Sequence, residues 1–120
     1  EVWNAKYKEY LGVDIDSPNQ GILQDIHWSH GSFGYFPTYS LGSFYAAQFY
    51  NQARKEMPNL EEQIVKGAFK DFHNWLTSKV HVYGRKFRSE DLCKRITGEG
   101  LNLNAFMEYA TGKYKEIYRM

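Results

Sequence analysis

Cysteine and proline are scarce in this chain, one and three respectively in 120 residues. A single thiol, Cys93, excludes an internal disulfide and makes a reducing, cytoplasmic setting the expectation. An excess of charge of one sign is also lacking: fifteen Lys and Arg stand against fourteen Asp and Glu, a formal net charge of +1. The signs are mixed rather than blocked, so neither nucleic acid nor an anionic membrane is an expected partner. No apolar run approaches the roughly 18 residues of a membrane span, and no signal-peptide pattern is seen. An initiator methionine is missing too. The chain starts at Glu1 inside a helix-like pattern, and the expectation is a piece of something longer.

Aromatic residues are plentiful, at 18%, with ten Tyr, eight Phe and three Trp. Tyrosine suits a wall that presents a hydroxyl to a cavity. With 42% hydrophobic and 24% charged residues the balance is globular, and the length suits one helical unit, residues 1–120.

Periodicity predicts an all-α fold of five or six helices with a glycine-rich loop. Trp3, Tyr7, Tyr10 and Leu11 share one helical face before Gly12 stops the element. "DIDSPNQG" reads as a loop. From about Thr38 a long, mostly buried helix is expected, with Leu41, Phe44 or Tyr45, Gln48, Phe49 and Ala53 on one side, ending before Pro58. Asn59 with Glu62 forms a candidate capping box for the next helix. Leu60, Ile64, Phe69, Phe72, Leu76 and Val80 follow at helical spacing, with a break or bend at Gly67. Gly84 supplies a stop. Ser89 is the expected cap of a short helix through Ile96, ended by Gly98. Asn102 caps the last helix, which carries Phe106, Tyr109, Tyr114 and Ile117.

The stretch "GILQDIHWSHGSFGYFPTYSLG", Gly21 to Gly42, is the chemically dense one. His27 and His30 are three apart and share a face if the segment is helical. Two such histidines can bind a metal, but a third ligand at suitable spacing is missing, and His73 and His81 sit on a separate helix pattern. The residues alone favour hydrogen-bonded histidines packing a tight loop, and no metal ligand is assigned. Asp25 reads as a carboxylate that orients His27 or caps a helix. Cys93, between Leu92 and Lys94 in an amphipathic pattern, reads as structural. Arg85, Lys86 and Arg88 read as a solvated loop.

"GILQDIHW" carries a resemblance. Gly21, Gln24, Asp25, His27 and Trp28 match all five fixed positions of the G-x-x-Q-D-x-H-W motif of the thermostable, Taq-type metallocarboxypeptidases. "GSFGYFPTYSLG", "VYGRKF" and "ITGEGLN" are similar to that family as well. The resemblance runs from about Trp3 to Tyr118. Members of the family are several times longer, nearly all helical, and bind their metal through H-E-x-x-H, which occurs nowhere here; H-P-F and D-x-R-x-T are absent too. The resemblance therefore implies the C-terminal quarter or so of a carboxypeptidase that removes single residues from peptide C-termini. The complete enzyme would use zinc or cobalt, none of it bound by this chain alone, and would be a homodimer.

In such an enzyme an oxyanion develops on the scissile carbonyl, and hydrogen-bond donors opposite the metal stabilise it. The likeness to the broader helical metallopeptidases implies Tyr39 for the oxyanion, with Tyr35 the alternative or second phenol. It implies His27 for a substrate hydrogen bond, with His30 a further candidate. Gln24 and Asp25 would stand behind, Asp25 fixing the His27 tautomer; Trp28, Phe33 and Phe36 would be wall. The isolated chain is expected to be inactive and to self-associate through apolar faces. The rival reading is a free-standing helical interaction domain that keeps the loop for packing.

Overall fold

The computed structural model describes residues 1–119, and all regular structure among them is helical. Six α-helices follow in order: α1 (Val2–Leu11), α2 (Thr38–Glu56), α3 (Leu60–Val65), α4 (Lys70–Lys79), α5 (Ser89–Thr97) and α6 (Leu103–Tyr118). Short 3₁₀ turns at Pro18–Gln20, Ile22–Gln24, Trp28–His30 and His81–Tyr83 carry connections. The all-α expectation is met. The chain forms two bodies, Glu1–Tyr39 and the part from Ser40 onward.

In the first body α1 ends at Gly12, as its residue type dictates. The loop after it folds back so that Gly21 is buried. A methyl on Gly21 would stand 2.9 Å from Ile15 Cγ2 and 3.4 Å from Trp3 Cδ1. Glycine is therefore what lets the loop backbone lie against those side chains. Trp3 stacks on Tyr7 with centroids 5.9 Å apart and meets Trp28 edge-on at 6.3 Å. The predicted α1 face is only half used, because Tyr10 and Leu11 remain 70% and 61% exposed.

In the second body Ala53 of α2, Leu60 of α3, Trp75 of α4 and Ile96 of α5 form the core, with Phe49, Phe72 and Leu76 packed around it. The buried Trp75 indole donates to Glu56 Oε2 at 2.8 Å, and Lys79 pairs with the same carboxylate at 3.2 Å. Gln52 first, then Trp75, hold the Glu56 carboxyl below its usual range. Gln48 is buried and bridges backbone, donating to the Gly100 carbonyl at 2.9 Å and accepting from the Asn102 amide at 2.7 Å. This one side chain ties α2 to the link between α5 and α6.

Several expectations are corrected. Helix α2 is not mostly buried: only Gln48 and Ala53 are, while Leu41 is 44% exposed and Phe44, Tyr45 and Phe49 are half-buried. Asn59 makes no side-chain cap and the capping box with Glu62 does not form. Its φ of −94° and ψ of 9° lie outside the extended region from which a cap side chain reaches the first turn. Asn102, extended at φ −128°, does cap, accepting from the Asn104 amide at 2.9 Å. Ser89 is already helical; Arg88, extended, holds the cap position and offers no side-chain acceptor. Gly67, at a φ of 72°, separates α3 from α4, and Phe69 is left in the break, 55% exposed. On α6, Tyr109, Tyr114 and Ile117 are exposed, as the expectation of open apolar faces has it.

Candidate functional site

The chain between Gly21 and Tyr39 puts its polar chemistry around one imidazole. Asp25 Oδ1 accepts twice from His27, from its amide at 2.8 Å and from ring Nδ1 at 2.7 Å. Those two bonds, the amide first, hold the Asp25 carboxyl below its usual range. An ionised carboxylate only accepts, so the Nδ1 proton is fixed and neutral His27 presents a lone pair at Nε2. Opposite that atom stands the Tyr39 hydroxyl, 3.4 Å away. Asp25, His27 and Tyr39 thus form a row from a two-residue turn to the first turn of α2.

Aromatic rings surround His27. Tyr35 lies 5.7 Å from it by centroids, Phe36 5.4 Å, Tyr39 5.7 Å and His30 5.8 Å. Tyr35 and Tyr39 meet edge-on at 5.6 Å and are 52% and 55% exposed, so both phenols reach solvent beside the imidazole. The loop is closed by the Ser32 amide, which donates to the His27 carbonyl at 2.9 Å. The Ser32 hydroxyl lies 2.9 Å from His30 Nδ1.

Of the residues singled out in the sequence, Asp25, His27, His30, Tyr35 and Tyr39 come together. Phe36 walls them; Trp28 and Phe33 pack on each other, 6.1 Å apart. Gln24 does not join: its side-chain amide donates to the carbonyl of Asn19. Ser32 escaped the sequence reading; its position two residues after His30 was the available signal. Cys93 is fully buried, burial pushes its thiol up, and it serves no open site. Lys86 rests over Phe87, and Arg95 lies over both Tyr83 and Phe87.

Among the described residues no three His, Cys, Asp or Glu side chains converge to hold a metal. Both loop histidines have Nδ1 engaged, by Asp25 and Ser32. Without a third converging ligand these residues do not fit a metal centre. The arrangement suits hydrogen bonding to a polar ligand.

Residues 1–114 match the sequence pattern of the carboxypeptidase Taq (M32) metallopeptidases. The chain belongs to the M32 metallocarboxypeptidase family. Carboxypeptidase 1 of Bacillus subtilis (strain 168) is 41% identical over 117 residues, 98% of this chain. Thermostable carboxypeptidase 1 of Thermus thermophilus is 42% identical over 118 residues. The solved M32 carboxypeptidase from Deinococcus radiodurans R1 superposes with a TM-score of 0.92 at 36% identity, over 98% of this chain and 24% of its own. The chain spans 23% of the length of the two curated relatives, so it corresponds to a segment of an M32 carboxypeptidase. The family is one of metallopeptidases.

Proposed function

We propose that this chain is the substrate-side, C-terminal segment of a metal-dependent carboxypeptidase that hydrolyses the last peptide bond of its substrates. The observation that carries the reading is the Asp25–His27–Tyr39 row, with Tyr35 beside it and both phenols open to solvent. Tyr39 donates to the oxyanion that develops on the scissile carbonyl, Tyr35 serves as the second phenol, and His27 and His30 hydrogen-bond the peptide. Asp25 holds the His27 ring, and Gln24 supports the loop from behind. The metal, zinc or cobalt, is held by parts of the enzyme outside these residues. The enzyme is cytoplasmic, in keeping with one cysteine that is buried, and homodimeric.

Tyr39 has a single proton. Turned to the substrate, that proton serves the oxyanion; turned to His27 Nε2, it keeps the phenol beside the imidazole.

The test is Tyr39→Phe against Tyr35→Phe in the complete enzyme. Losing the oxyanion donor costs on the order of 10²-fold in kcat, about 3 kcal/mol, with little change in KM. Near-normal kcat in both variants overturns the reading and leaves the loop as packing in an interaction domain. The 120-residue chain alone, mixed with zinc or cobalt and blocked dipeptides, is expected to release no product above buffer; robust turnover by pure chain contradicts the segment reading.

A further inference from the structure

The two loop histidines are held by partners of different chemistry. Asp25 can only accept, which obliges His27 to keep its proton on Nδ1. Ser32 carries a hydroxyl that can donate, 2.9 Å from His30 Nδ1. A neutral histidine in water already favours the proton on Nε2, and a hydroxyl donating into Nδ1 reinforces that form. Neutral His27 therefore offers a lone pair, taken up by the Tyr39 hydroxyl, whereas neutral His30 offers an N–H.

The same serine also fixes the distance between the rings. Its amide donates to the His27 carbonyl at 2.9 Å, and the turn between them runs through Gly31, whose φ is 83°. The rings stand 5.8 Å apart by centroids, with Ser32 half-buried under the turn and His30 exposed. The groups facing His30 are His27 on its own turn and Ser32 after it; Asp25 acts on it through space.

We propose that Ser32 is a positioning residue that sets His30 with its proton on Nε2, so that His30 is the loop's uncharged donor to a carbonyl oxygen of the bound peptide. This rests on reading the loop as a peptide-binding site. Of the two imidazoles that serve the peptide, His27 is the one coupled to Tyr39, and His30 is the uncharged donor to the substrate backbone.

The experiment uses the complete enzyme with 15N-labelled histidine rings, and His30→Gln assigns the His30 signal. At pH about 8, above the ordinary imidazole range, the His30 proton is expected on Nε2; a proton on Nδ1 overturns the proposal. In kinetics, Ser32→Ala raises KM about five- to tenfold, the worth of one neutral hydrogen bond, with kcat nearly unchanged. Ser32→Thr, which keeps the hydroxyl, restores KM. His30→Ala raises KM similarly, and adding Ser32→Ala to it raises KM no further. Additive effects, or no rescue by threonine, overturn the proposal, because a serine that merely shaped the turn would act independently of the His30 ring. Failure of the site reading shows separately, as normal kcat in Tyr39→Phe and Tyr35→Phe.

Discussion

Asp25 does two jobs with one oxygen, binding the amide and the ring of His27. Its carboxyl is held below the ordinary 3.8. A depressed acid contributes stability that is fully present above its unfolded value and is lost as pH falls through its folded value. The turn therefore stays locked from neutral pH down through 3.8 and loosens only below it. The His27 amide resonance, followed from pH about 6 downward, should move with a midpoint below 3.8, and Asp25→Asn should abolish that step. A midpoint above 3.8 contradicts the two-bond geometry. The pairing of Asp25 with His27 was legible in the sequence because a spacing of two leaves a short carboxylate little else to reach. The approach of Tyr39, twelve residues on, was not, since it depends on how Gly31, Gly34 and Pro37 turn the chain. Ser32 was overlooked because a lone serine in a turn is too common to stand out.

Among the elements, Gln48 is a side chain that bridges α2 to the α5–α6 link, and Gln48→Leu tests that bridge. The substitution strands the Gly100 carbonyl and the Asn102 amide, and a loss of about 2–3 kcal/mol is expected in denaturant unfolding. A neutral result means water replaces both bonds. Gly21→Ala places a methyl against the branched Cγ2 of Ile15, and about 1–3 kcal/mol of overpacking is expected in the first body. Helix ends written in glycine were readable at Gly12, Gly67 and Gly98, where the backbone takes a positive φ, whereas Gly42 and Gly112 lie inside α2 and α6. Caps written in Asn or Ser were readable only in part. Asn102 and Asn59 have the same side chain, and it is the backbone before each helix that decides which one caps.

At the scale of the molecule, helical periodicity was a sound guide to which segments coil and a poor one to which faces are covered. Tyr109, Tyr114 and Ile117 repeat at helical spacing on α6 and remain exposed. An apolar groove of about 800 Å³ also lies open along α1, lined by Val2, Trp3, Tyr7, Tyr10, Ile22 and Trp28 among others. Surfaces of this kind favour association. The chain by itself is expected to give a strongly helical circular dichroism spectrum and a sedimentation coefficient that rises with concentration; a monomer at every concentration would count against the exposed faces as sticky. The second body has one further property. Its Cys93 is the chain's only thiol and is wholly enclosed. A maleimide added to the folded protein should find nothing to react with until that body opens, so the labelling rate becomes a built-in clock for its opening, with no second sulfhydryl in the chain to blur the reading.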